Sequence, residues 1–276
     1  MKKVWEPFEG TIEAVRERFP EPLLALARGE TAALVFRGAF PREHCNGLVE
    51  RFYERGHLYD PRTSGEKKPK RVDIGTSLGT YGPNLPNFFA HSAATHDLFR
   101  TLFDGFENPV KTIYDTLIAL ALGKQVKTAR EPDGQIYGPA IFRTYYDGLG
   151  HGPHFDSARK REKLFHLQVS RFKHQFSAVI CFQNSEVIGE CGEPFLYQCP
   201  WKEDTIQPHI VNKTFHEFAS QNKIPRLQVK LEPGDLYVFS TENIHEVPLV
   251  SGKTPRIVLA TFFAMSPDDD EVFVWS

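Results

Sequence analysis

Methionine is nearly absent from this 276-residue chain, which holds 2 of them against 23 phenylalanines. That imbalance suits β-structure and rigid aromatic packing better than a helical bundle. Cysteine is scarce too. Cys45, Cys181, Cys191 and Cys199 form no CxxC pair, which excludes a disulfide-stapled fold and argues against a zinc knuckle. They read as reduced thiols of a cytoplasmic protein, with Cys181 as a small buried hydrophobe. No sign of charge dominates: Lys+Arg 33 against Asp+Glu 35 leaves a net charge of −2. Such a chain has no global field to gather a nucleic-acid polymer or an acidic membrane. The longest apolar run, from Ile257 to Met265, falls far short of the ~20 residues that cross a bilayer. The opening MKKVWEPFEG has no apolar core, so a signal peptide is not expected. With 41% hydrophobic and 25% charged residues, neither disorder nor a fibrous repeat is expected. A globular protein with a small-molecule partner remains, and homo-oligomerisation stays open.

No repeat or low-complexity linker divides the chain, so a single domain over 1–276 is expected, with a helical front (1–130) and a β-rich back (135–265). Asn108-Pro109 supplies a cap and a first-turn proline. Val110, Ile113, Leu117 and Leu120 then recur at helical spacing, and Gly123 closes the helix. A second helix is predicted over 41–55, preceded by a short strand at 33–36. Residues 57–92 carry Gly, Pro and basic residues without a lasting period and read as a long loop of the mobile or ligand-binding kind. Strands are predicted at 137–146, 176–183, 194–199, 227–231, 235–240 and 256–265, with Pro233-Gly234-Asp235 as a turn. That pattern points to a sandwich or jelly roll. Between the first two of these strands, 157–175 carries six Lys/Arg against one Glu.

The chemistry concentrates at His154-Phe155-Asp156. On a strand, residues two apart share a face, so His154 and Asp156 can meet one ion while Phe155 packs away. His245 follows another apolar strand, and Arg256 opens the next. Two imidazoles and one carboxylate on one side of an octahedron leave three adjacent positions, which suit a bidentate 2-oxo acid plus dioxygen. The acid's distal carboxylate calls for a planar fork, which Arg256 offers. Tyr145 and Arg143 share a strand face and are candidate donors to the same acid.

The order and spacing of His154-x-Asp156, His245 and Arg256 resemble the iron(II)/2-oxoglutarate-dependent oxygenases with a double-stranded β-helix core. A closer resemblance is to the free-standing subgroup of N-substituted amino-acid hydroxylases and alkaloid halogenases. It is carried by Phe36-Arg37-Gly38-Ala39-Phe40-Pro41-Arg42, Gly134-Gln135-x-Tyr137-x-Pro139-Ala140-x-x-Arg143 and Gly192-Glu193, and continues through Pro233-Gly234-Asp235, Ser251-Gly252-Lys253-x-Pro255-Arg256 and Trp275-Ser276. The resemblance implies a jelly-roll, cupin-like core with flanking helices. It implies Fe(II) on His154, Asp156 and His245, 2-oxoglutarate on Arg256, and O2 as cosubstrate. The halogenases carry Gly where this chain has Asp156, freeing a position for halide, so the carboxylate implies a hydroxylase. A halogenase, a hydroxylase of a nucleotide or alkaloid and a non-enzymatic cupin-like binding module are the alternatives. A zinc hydrolase would need a general base, and no HExxH pattern is present.

Other residues have plainer readings. Three-residue spacing on a strand predicts that His151 faces away from His154, in a supporting or surface role. His166 and His174 are expected to be solvated, as is the acidic stretch 267–271. Gly148, Gly150 and Gly152 read as loop flexibility. The basic insert is either a solvated helix face or a lid placing Arg159, Arg161 or Lys163 over an anionic substrate, with Tyr137 a further candidate contact.

Overall fold

The computed structural model describes residues 5–59, 71–81, 84–161, 164–186 and 192–276. Cys191, Lys163 and part of the expected 57–92 loop lie outside them. The front of the chain holds β1 (Phe8–Glu9), α1 (Ile12–Arg18), α2 (Pro22–Ala27), β2 (Leu34–Phe36), α3 (Arg42–Glu54), β3 (Val72–Ile74), α4 (Leu78–Tyr81), α5 (Leu85–Leu102), α6 (Pro109–Leu120) and β4 (Gln125–Thr128). Then come β5 (Ile141–Tyr145), β6 (His151–His154), β7 (His174–Gln183), β8 (Phe195–Pro200), α7 (Gln207–Val211) and α8 (Phe215–Gln221). The chain finishes with β9 (Arg226–Gln228), β10 (Leu236–Ser240), β11 (Asn243–Val247), β12 (Arg256–Met265) and β13 (Glu271–Trp275).

The strands form two sheets. A nine-stranded sheet runs β1-β2-β10-β7-β12-β13-β4, with β5 also on β12 and β3 on β5, and a four-stranded sheet runs β6-β11-β8-β9. Sequence explains the middle of the large sheet. Its strands β7, β10 and β12 read as near-continuous apolar runs, broken inside only by Ser177 and Thr261, because both of their faces are buried. Phe176, Ile180, Leu236, Ile257 and Leu259 face the helices and pack with Leu48, Phe52, Ile113 and Leu117. The alternate residues Val179, Cys181, Tyr237, Phe239 and Val258 pack with Leu196 of the small sheet. Two facing sheets buttressed by helices make the expected double-stranded β-helix. The phenylalanine excess is spent here. Phe142 is ringed by Phe52 and Phe182, with centroids at 4.7 and 5.0 Å, and by Phe99 and Phe103.

Four expectations change. α5 begins inside the stretch read as a loop. Its buried stripe, Phe88, Ser92, Thr95, Phe99 and Leu102, keeps helical spacing, but Ser92 and Thr95 hide it from an apolar count. The sheet extends past residue 265, since β13 joins β12 to β4. The basic insert is no helix face: its described residues hold no α-helix, only short 3-10 structure at Leu164 and at Gln168–Arg171, and Ala158, Leu164, Leu167, Val169 and Phe172 are buried. The acidic stretch is likewise not simply solvated, because Asp269 and Glu271 pair with Arg171.

Candidate metal centre

β6 and β11 run antiparallel with His154 directly opposite His245. Asp156 is tied by its backbone to the end of β10: its N–H donates to the Thr241 carbonyl at 2.9 Å, and the Thr241 hydroxyl donates to the Asp156 carbonyl at 2.8 Å. Between the two ligand candidates, Phe155 turns away and stacks on Trp201, as the two-residue period predicts. Behind His245, Glu246 accepts from the Tyr197 hydroxyl and pairs with His216, holding β11 from its other face.

Each imidazole has a defined tautomer. His154 Nδ1 lies 2.7 Å from the Gly152 carbonyl and His245 Nδ1 lies 2.9 Å from that of Asn243. A carbonyl only accepts, so each Nδ1 carries the proton and each Nε2 presents a lone pair. Both Nε2 atoms lie 3.6 Å from the same oxygen, Asp156 Oδ2. The three ligand atoms fall within 4.8 Å of one another. Three lone pairs converging without a proton among them fit a divalent cation. Burial first, and then the adjacent His245 ring, hold His154 well below the usual histidine range, so it is neutral as a ligand must be. Burial opposes ionisation of Asp156. The Arg161 guanidinium beside it works the other way and favours the ionised carboxylate that a ligand must be. Its other oxygen, Oδ1, accepts from Arg161 Nη2 at 2.8 Å.

The triad opens into a cavity of about 350 Å3 between the two sheets. Arg256, first residue of β12, lines it at 2% exposure, with its Nε unpartnered. Among the described residues no carboxylate reaches salt-bridge distance of it. A buried guanidinium without a counter-ion costs several kcal/mol, so the site fits an incoming carboxylate such as that of 2-oxoglutarate. Tyr145 pairs with Arg256 across β5 and β12 and sets its ring 6.0 Å from the guanidinium carbon. Arg143, two residues before Tyr145, lines the same cavity. Gly192, singled out in the sequence, presses on Arg256: a Cβ there would meet Arg256 Cδ at 2.8 Å.

The structure separates the remaining candidates. Arg161 lines the cavity but is spent on Asp156. Arg159 is exposed and outside the cavity lining. Tyr137 is fully buried against Phe88 and Phe89, with its hydroxyl on Glu131, so it does not reach the cavity. His151 does not face away. Its ring stacks on His154 at 3.6 Å, because the β6–β11 pairing shifts register between His245 and Val247. His166 is exposed as expected, but His174 pairs with Glu242. Gly150 is a close approach rather than a flexible hinge: a Cβ would lie 2.7 Å from the Val247 carbonyl oxygen. Residues missed from sequence are Arg71, which lines the cavity beside Asp73, and Gln175, whose side-chain carbonyl accepts from Ala158 N–H at 2.6 Å.

Two histidines and a carboxylate at one end of a jelly roll, with a buried unpaired arginine beside them, define a non-haem iron oxygenase that uses 2-oxoglutarate. Residues 11–276 match the family of the carrier-protein-independent halogenase WelO5, and the chain belongs to that family. Among solved structures it is similar to an N-substituted L-amino acid dioxygenase from Burkholderia ambifaria AMMD, with 14% identity, 92% of this chain and 90% of that one covered, and a TM-score of 0.63. The structure of such a dioxygenase with α-ketoglutarate, from the same organism, aligns over the same shares at 13% identity and a TM-score of 0.59. At these identities the likeness is one of fold. No curated protein sequence matches. Among the described residues no helix is long and apolar enough to cross a membrane.

Proposed function

We propose that this enzyme hydroxylates a C–H bond of a small, freely diffusing anionic substrate, although its family is named for halogenation. The observation that carries this reading is Asp156: its Oδ2 stands 3.6 Å from both histidine Nε2 atoms, in the position a halide would need. His154, Asp156 and His245 would hold Fe(II), at which 2-oxoglutarate and O2 would supply the oxidising chemistry, the keto acid leaving as succinate and CO2. Arg256 grips the distal carboxylate of the keto acid, with Tyr145 beside it as a second donor.

The anionic substrate is supported by the lining. Arg71, Arg143, Arg161 and Arg256 face the cavity with a single acidic residue, Asp156. With Arg256 on the keto acid and Arg161 on Asp156, Arg143 is left for the substrate. It makes no ion pair among the described residues, and β3 sets Arg71 and Asp73 beside it. A carboxylate on an N-substituted amino acid fits such a fork.

The test is a screen of N-acylated amino acids, free amino acids and nucleotides for substrate-stimulated succinate formation, with product mass measured with and without chloride. Addition of one oxygen atom, indifferent to chloride, is the expected result. A chlorinated product from the unaltered enzyme overturns the reading.

A further inference from the structure

Arg161 lies in the basic insert, where a lid over the substrate is the natural expectation, yet its guanidinium goes elsewhere. Nη2 donates to Asp156 Oδ1 at 2.8 Å and to the Phe155 carbonyl at 3.2 Å. The second contact anchors the guanidinium to the backbone of the ligand strand, so the first is not a chance meeting of two mobile side chains. Asp156 is thereby divided into two unlike halves. Oδ1 is engaged by Arg161, and Oδ2 alone is turned to the histidines.

The division bears on coordination number. Two imidazoles and one carboxylate oxygen leave three of six octahedral positions, the number that a chelating keto acid and O2 require. A carboxylate that gave both oxygens would leave two, enough for the keto acid and none for O2. We propose that Arg161 is a positioning residue that keeps Asp156 a one-oxygen ligand and so preserves the position at which O2 is taken up. The proposal rests on the metal-centre reading of His154, Asp156 and His245. It assigns Arg161, one of the residues of the insert that sequence offered as a substrate contact, to the metal's carboxylate instead. The insert contributes further anchoring nearby, since the Ala158 N–H is fixed by Gln175, and Arg161 stands three residues on.

Nitric oxide is the probe, because it binds ferrous iron at a free position and gives an electron paramagnetic resonance signal without turnover. The full-length protein is loaded anaerobically with Fe(II) and 2-oxoglutarate, then exposed to nitric oxide. In Arg161→Met the nitrosyl signal is expected to fall by about fivefold or more, while the Fe(II) dissociation constant changes by less than about threefold, because the carboxylate trades a guanidinium for the metal. Arg161→Lys restores a cation at Oδ1 and recovers the signal. Arg161→Gln, which keeps a neutral donor, serves if the methionine variant does not fold. A merely structural role predicts the reverse: weaker iron binding with the nitrosyl signal per bound iron unchanged. That outcome, or a full signal in Arg161→Met (or in Arg161→Gln where the methionine variant does not fold), overturns the proposal alone. Failure of the unaltered protein to bind Fe(II) overturns the metal-centre reading and the proposal with it.

Discussion

Two arginine–aspartate pairs, built from the same functional groups, are put to opposite uses. Asp235, at the turn before β10, is fully consumed. Its Oδ1 accepts from the Gly38 N–H at 2.9 Å, and its Oδ2 accepts from Arg37 at 2.6 Å and from the Glu232 N–H at 2.8 Å. Asp156 accepts through Oδ1 and leaves Oδ2 facing two lone pairs, a contact that is unfavourable unless a cation lies between them. A satisfied buried carboxylate is a fastening. A half-satisfied one beside neutral imidazoles is a binding site.

The comparison breaks at once if no metal sits beside the half-used carboxylate. His154→Ala or His245→Ala is expected to lower substrate-stimulated succinate formation on the order of a thousandfold or more, since each removes a nitrogen ligand with no replacement. Near-normal rates in both variants would end the metal assignment. Replacing the carboxylate sharpens the contrast further. Asp156→Gly loses most hydroxylation and weakens metal binding, and it leaves Arg161 as an unpaired cation beside the vacated position. With chloride and a turned-over substrate, mass spectrometry should find some chlorinated product. Wild-type hydroxylation by the glycine variant would remove Asp156 from the ligand set. Arg256→Ala is expected to raise the KM for 2-oxoglutarate by roughly 2–5 kcal/mol in binding terms, with the substrate KM little changed. An unaltered requirement for 2-oxoglutarate would move that role to Arg143.

On the other side of the comparison, Asp235→Ala deprives two backbone N–H groups and Arg37 of an acceptor. The expected cost is about 2–3 kcal/mol of stability, read as a lowered Tm, with succinate formation per folded molecule unchanged. A fall in specific activity without a fall in Tm would show that this aspartate is more than a fastening. The smallest effect concerns acid. Lys127 first, and Arg171 with it, hold Glu271 below the usual glutamate range. A depressed folded-state pKa contributes stability that is present above the unfolded value, near 4.5, and is lost as pH falls below it. Glu271→Gln should therefore flatten the decline in Tm between about pH 5 and 3, by less than about 1 kcal/mol at this half-exposed site. An unchanged slope would remove Glu271 from the acid response.

The ligands were legible because their geometry is local or opens a recognisable element: His154 and Asp156 two apart on an extended segment, His245 after β10, Arg256 at the head of β12. The fastening was not. Arg37 and Asp235 are 198 residues apart, and the turn that Pro233-Gly234-Asp235 signals does not say which distant arginine Asp235 meets. The carbonyls of Gly152 and Asn243 that set the tautomers are invisible in principle, since any residue supplies one. His151 was misplaced because a register shift overrides the alternation of a regular strand. The charge of the insert is plain in the sequence and its destination is not, because pairing of Arg161 with Asp156 and of Arg171 with Glu271 depends on how the chain returns.

The cavity draws its metal ligands from the end of β6, from Asp156 two residues beyond it, and from β11, whereas Arg143, Tyr145 and Arg256 come from β5 and β12 of the facing sheet. This partition gives a lineage two separable sets of positions to vary. On the roles proposed for these residues, exchange of side chains on β5 would change which acid is welcomed and leave the ligand strands unaltered, while one codon at 156 would alter the chemistry and leave the welcoming face intact. Substrate range and reaction type can then drift on separate clocks, one sheet for each.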